Sequence, residues 1–444
     1  MGSAEQGSPG FDAHGSVTLR ADAQATLRKL FIRPNRVGCR THRTTAAIAS
    51  SQRGPHSCLA YYEIHDGFTQ SFPKLSKPTA AVMNPGYNPH FESTGIEGGI
   101  DTHCVPWIEL PQAPGISFKP LRASNESGMF TAIARMTKGT VLAPLIHLGA
   151  MDLFVLSGSM TYPEGPLAGT LQPGTWGYVP ANAKIARLAA DADVEFLVNC
   201  YGPLAFLADD QQSVRSILTS RDIIAAARAR GLALVPNTLA ECMQARPRVD
   251  HGETSPLLMP RTNARAWAAA GANVAAKDYR PVHPHFVDTL RVPWYVHPKT
   301  PDFGMKILRV SEETGITSLI VRHNGVAGPH YHLGASDFLI LSGRIGYRAG
   351  PPEGYGAGVW FYEPAGARHD ATQRIGDDDL IYTANVYGPL QFDHGRGTPI
   401  AAVMSWIQYK KIADASATML VRNTFVDDTS LLAWAPIGSQ SAGV

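Results

Sequence analysis

The sequence predicts an all-β chain made of two similar halves with short helices between them, and three observations carry that expectation. Glycine and proline are abundant, 42 and 33 among 444 residues, which suits many short strands and turns better than a helical bundle. From about residue 87 the chain repeats itself at an offset of about 186 residues. Residues 325–373 carry His330 and His332 two apart and His369 after a turn, a pattern that paired hairpins would bring together.

The chain opens on a stretch with no acidic residue from Ala23 to Tyr62, in which Arg28, Lys29, Arg33, Arg36, Arg40, Arg43 and Arg53 are basic. Residues 1–85 therefore read as a disordered leader, an extension ahead of a start at Met83, or a transit-like segment. The repeat begins next. Asp101-Thr102 and Val105-Pro106-Trp107 recur as Asp288-Thr289 and Val292-Pro293-Trp294. Residues 144–152 (PLIHLGAMD) lie over 329–337 (PHYHLGASD), and the Tyr-Gly-Pro-Leu at Tyr201 recurs at Tyr387. The halves span 86–245 and 281–420, with 246–280 as linker and 421–444 as a tail. After the first half a helix is expected over 220–229, capped by Ser220 and ended by Gly231, then a short one over 237–243. One more is expected near 264–276 in the linker. In the second half, 316–323, 338–341, 359–362 and 380–386 read as strands.

The copies differ where chemistry belongs. Leu145 stands at the place of His330, His147 at that of His332, and Ile185 at that of His369. One histidine does not make a metal site, so the first half is expected to be metal-free. In the second half, residues i and i+2 of a strand share a face, so His330 and His332 aim at one point. The turn at Pro364-Ala365-Gly366 returns His369 to them. Asp337 is a candidate fourth ligand, but its counterpart Asp152 persists in the half that lost its histidines, which favours a structural role in both. Glu353, Glu363 and Asp370 are further acids in reach; Glu363, beside Pro364, can equally face solvent. Imidazoles with open positions suit Fe, Zn, Ni and Mn alike.

This stretch resembles the two motifs of the cupin family. The second motif is matched from Gly358 through Pro364, Gly366 and His369, with Gln373 in place of its closing Asn. The first is looser, with Gly325 one residue close, Asp337 for Glu, and Gly343 one residue early. The resemblance implies two small antiparallel barrels in tandem, each a double-stranded β-helix or jelly roll, and His330, His332 and His369 as metal ligands. Val105-Pro106-Trp107, the run from Gly115 to Gly128, and Tyr362-Glu363-Pro364-Ala365-Gly366 before His369 are similar to cupin dioxygenases of the 2,4'-dihydroxyacetophenone dioxygenase type and to anti-sigma-factor-like cupins. Those dioxygenases carry a glutamate after a tyrosine of the second hairpin; here Ala349 stands there, and Glu164 in the first half.

The resemblance implies an Fe(II) enzyme that uses O2 to cleave a carbon–carbon bond beside a carbonyl, in a β-diketone, hydroxyketone or aromatic ketone. His323, Arg344 and Asp370 are candidates for proton transfer, and Arg322, Tyr347, Trp360 and Tyr362 for holding a substrate. The alternatives are a non-oxidative Zn, Ni or Mn cupin acting as hydrolase, lyase or isomerase, and a non-enzymatic metal-dependent sensor. A formal charge of +2 without a basic stripe argues against nucleic acid as a partner, and the absence of a long apolar run argues against a membrane span. Five scattered cysteines without a C-x-x-C suit a reducing, cytoplasmic compartment, unless the leader directs the chain to an organelle. Either a monomer or a homodimer is compatible with two barrels per chain.

Overall fold

Each half folds around strands whose two faces are both covered, so their burial is continuous rather than alternating. The computed structural model describes residues 99–243, 283–347, 350–394, 397–416 and 418–425. The leader, the whole linker with its expected helix, and the end of the tail lie outside the described residues. Among the described residues each barrel has a seven-stranded antiparallel sheet. In the first barrel it is centred on Met151–Ser157, Val194–Cys200 and Phe130–Met136; in the second, on Ser336–Ser342, Ile381–Val386 and Thr317–His323. Shorter strands close the opposite wall, among them His330–His332, Arg368–His369 and Leu390–Phe392.

Alternation splits every long strand between two cores. On Ser336–Ser342, Phe338 and Ile340 enter the core of the second barrel, while Leu339 and Leu341 enter a separate core shared with Phe154, Trp176 and Leu197 of the first. The large sheets of the two barrels therefore pack outer face against outer face. The order of the chain is crossed at this contact. Ile100–Asp101, ahead of the first barrel, pairs with Val359–Glu363 of the second, and Phe286–Asp288, ahead of the second barrel, pairs with Thr175–Val179 of the first. Sheet membership thus departs from the sequence halves at both entry strands.

The exchange is clamped identically on both sides. Thr102 N–H donates to Gly358 O at 3.0 Å and Thr289 N–H to Gly174 O at 3.0 Å. The buried Lys119 and Lys306 ammonium groups donate to Thr102 O and Thr289 O, at 2.9 and 2.7 Å. Within each barrel the repeated His-Leu-Gly and Tyr-Gly-Pro-Leu segments meet backbone to backbone: a Cβ on Gly334 would lie 2.5 Å from Gly388. Only glycine fits both positions.

The first helix runs Ser220–Ala229 as expected, but Thr219, not Ser220, is its N-cap, with Asp222 closing a capping box. The second is shorter than expected, Leu239–Met243. A helix over Trp406–Ala415, capped by Ser405, was not expected from the sequence and repeats the first at the end of the second barrel.

Candidate metal centre

The site is assembled by register. His330 pairs across the strands with His369, and His332 lies two residues on, on the same face. Gly366, at φ +85°, makes the turn that Pro364 initiates, and its N–H donates to His332 O at 2.6 Å, fixing the returning segment to the ligand strand. The ligand atoms of His330, His332 and His369 all lie within 4.8 Å of one another, and the three residues are 7, 3 and 3 % exposed. His330 Nδ1–H donates to Gly328 O at 2.9 Å and His369 Nδ1–H to Asp370 O at 2.8 Å. These bonds fix both tautomers and leave the Nε2 lone pairs facing the centre. Burial pushes the His330 ring well below the ordinary imidazole range, with the neighbouring His369 and His332 rings adding to the effect, and pushes His369 down as well. The neutral ring is the form that ligates.

A buried carboxylate stands beside them. Glu363 pairs across the sheet with Ser336, is 2 % exposed, and places Oε2 at 2.9 Å from His332 Nε2 and Oε1 at 3.9 Å from His369 Nε2. Tyr347 O–H donates to Oε1 at 3.0 Å. Ser336 Oγ lies 3.3 Å from Oε2 and 2.9 Å from His332 Nδ1, joining ligand strand and carboxylate. Burial alone would push the Glu363 carboxyl up, but the His332 ring, with His369 and His330, outweighs it and holds the group well below the usual carboxylate range. It is ionised. The His332 and His369 Nε2 atoms are 3.3 Å apart. Two nitrogens each about 2.1 Å from a shared ion, at a near-tetrahedral angle, would be about that far apart. Three buried imidazoles within 4.8 Å of one another, with a carboxylate beside them, offer the donor types that a divalent metal takes.

Several expected residues stand elsewhere. Asp337 faces the barrel interface, not the metal centre: it follows the lumen-facing Ser336, accepts from Tyr387 O–H at 2.5 Å, and shares the Asn385 amide with Asp152 at 3.4 and 3.3 Å. Trp360 and Tyr362 face the same interface, where Arg122 lies 3.9 Å over the Tyr362 ring. Arg322 alternates outward from Val321 and stacks on Trp294 at 5.5 Å, as Arg135 does on Trp107 in the first barrel at 4.2 Å. Arg344 caps the carbonyls of Glu353 and Gly354 at 2.5 and 2.7 Å, holding a turn rather than a substrate. Asp337, Trp360 and Tyr362 share one cause. Both faces of the large sheet are buried, so burial does not tell lumen from interface.

Tyr347 does lie in the lumen, bonded to Glu363. His323 lies on the lumen face with Leu319 and Val321; its Nδ1 is 3.3 Å from Tyr382 Oη, and burial pushes its pKa down to about 4. Asp370 acts on His369 through its backbone carbonyl. The sequence offered Glu363 as an acid in reach that could equally face solvent, and gave no sign of Ser336 or Tyr382. The available signal was the alternation Val359-Phe361-Glu363, which puts the carboxylate on the face opposite Trp360 and Tyr362.

In the first barrel the same register pairs Ile185 with Leu145, and Val179 occupies the place of Glu363, opposite Met151. His147 alone remains of the donor set.

The ChrR Cupin-like domain model matches this chain twice, over residues 97–205 and 282–388. The acetylacetone-cleaving enzyme of Acinetobacter johnsonii is 28% identical over 119 residues, covering 26% of this chain and 78% of that relative. The solved acetylacetone dioxygenase of Acinetobacter johnsonii, 23% identical, covers 28% of this chain and 85% of its own, with a TM-score of 0.26. Oxalate decarboxylase of Bacillus subtilis, 15% identical, covers 77% of this chain and 88% of its own, with a TM-score of 0.37. With two tandem β-barrels, two matches to one cupin domain and a three-histidine centre in the second barrel, the chain is a bicupin of the cupin superfamily.

Proposed function

We propose that the second barrel is an Fe(II) dioxygenase site that cleaves a carbon–carbon bond beside a carbonyl in a β-diketone, hydroxyketone or aromatic ketone. The observation that carries this reading is the buried convergence of His330, His332 and His369 with an ionised Glu363. Support comes from the acetylacetone-cleaving activity named for a relative that matches over 119 residues.

Iron bound by these residues supplies Lewis acidity and the reaction with O2. The chain supplies the rest. Gly328 O and Asp370 O hold two rings in the ligating tautomer, and Tyr347 and Ser336 fix the position of the carboxylate. The lumen aromatics Phe338, Phe361 and Tyr382, with Phe392 ring-to-ring 4.8 Å from His330, form planar walls and exclude water from a conjugated ketone. His323, bonded to Tyr382, lies on the same lumen face and offers a neutral ring that can hydrogen-bond a substrate oxygen.

Anaerobic reconstitution with Fe(II), followed by an oxygen electrode and a panel of β-diketones and hydroxyacetophenones, tests the reading. Substrate-dependent O2 uptake that disappears in His369→Ala is the predicted result. Tight zinc, nickel or manganese retention with no uptake across the panel would move the site to non-oxidative chemistry.

A further inference from the structure

The first barrel keeps a chamber at the place where the second holds its donor set. The cavity measures about 40 Å³ and is lined by Leu145, Met151, Tyr162, Ile185 and Phe196, with His147 as the polar ring in its wall. His147 is 3 % exposed, its Nδ1 is buried without a partner, and among the described residues its ring makes no hydrogen bond. A buried imidazole left unsatisfied in an apolar wall is costly, and such groups are ordinarily bonded to protein or to an occupant.

We infer that this chamber is a second ligand site, which takes a small neutral alcohol or ketone of about three carbons through one hydrogen bond to His147. Size sets the upper limit. One water needs roughly 10–15 Å³ on the same scale, so the cavity accepts about three such volumes. Wall chemistry sets the class: an ion would be stripped of water against leucine, isoleucine and phenylalanine with no counter-charge. A hydroxyl suits either tautomer of the ring, and a carbonyl suits the N–H. Burial also pushes the His147 pKa down to about 4, so the ring is neutral and offers no charge to an anion. Metal is excluded by residue type, since Leu145, Ile185 and Val179 stand where three donors stand in the other barrel.

The test uses the full chain with His369→Ala in the second barrel, so that a signal cannot come from a loaded metal centre. Saturation-transfer NMR with 2-propanol and with acetone is expected to show saturable binding, with Kd on the order of 1 mM for so few atoms. His147→Leu is expected to weaken it roughly tenfold. Ile185→Phe, which fills the chamber, is expected to abolish it. Binding of neither probe to the parent chain, equal binding by His147→Leu, or uptake of xenon but of neither probe would overturn the proposal.

Discussion

Glu363 carries the most weight of any residue outside the histidines, because among the described residues it is the buried carboxylate that reaches both His332 and His369. Its neighbours explain why it stays charged: the His332 ring at 2.9 Å, with His369 and His330, outweighs the effect of burial, while Tyr347 donates to one oxygen and Ser336 approaches the other. Glu363→Gln keeps the shape and removes the charge. The variant is expected to bind Fe(II) about 10–100-fold more weakly, as read by competition with a chromophoric chelator, while its melting curve without metal stays close to that of the parent. Unchanged affinity would remove Glu363 from the donor set. The histidines were legible in the sequence because their spacing and the Pro-Gly turn are local signals. Glu363 was not, since a glutamate before proline at a strand end reads equally well as solvent-facing. Its role depends on pairing with Ser336, which only the closed sheet fixes.

At the scale of elements, the exchanged entry strands explain two buried lysines that have no place in the chemistry. Lys306 donates to Thr289 O at the turn where Phe286–Asp288 joins the first barrel. Lys306→Met removes the donor and leaves a buried carbonyl unsatisfied, a cost of about 1–3 kcal/mol, or several degrees in Tm. The pH dependence distinguishes this clamp from simple packing. Burial pushes the Lys306 pKa down to about 7, against about 10.4 for an unfolded chain. Between those values the unfolded state binds more protons, so this group makes stability rise with pH from about 7 to about 10. Thermal melts across that range are expected to show the rise in the wild type and a smaller one in Lys306→Met. The exchange was invisible in sequence because it pairs residues far apart, and the repeat alone specifies two barrels without saying which entry strand joins which. The helix Trp406–Ala415 was not legible because its residues share little with those of Ser220–Ala229, so the repeat fades after Leu390.

At the scale of the whole molecule, the two barrels meet through a polar cluster with approximate two-fold symmetry. Thr131, Asn199, Asp152 and Tyr201 form one arm, and Ser318, Asn385, Asp337 and Tyr387 the other. The Asn385 amide reaches both carboxylates. This explains why an aspartate persists in both halves while the ligands do not: it serves the interface, and the persistence of Asp152 was the legible clue. Burial pushes Asp152 up to about 6, and burial with the facing Asp152 pushes Asp337 up to about 7. Arg309 and Arg122, on the same interface, pull the two carboxyls the other way without cancelling that rise. Here the native state binds more protons than the unfolded one from about pH 4 to about pH 7, so these groups make stability fall with rising pH in that window. Asp337→Asn is expected to remove part of the fall, so that its Tm gains on the wild type by a few degrees between pH 4.5 and 7.5. Parallel curves would show that the pair ionises as freely as it does in water.

The claim that the chemistry sits in one barrel is tested most directly by metal stoichiometry. Chains loaded anaerobically with Fe(II), freed of excess metal and analysed by plasma emission are predicted to hold one iron per chain, lost in His369→Ala and retained in His147→Leu. Two irons per chain, or iron retained by His369→Ala and lost by His147→Leu, would contradict it.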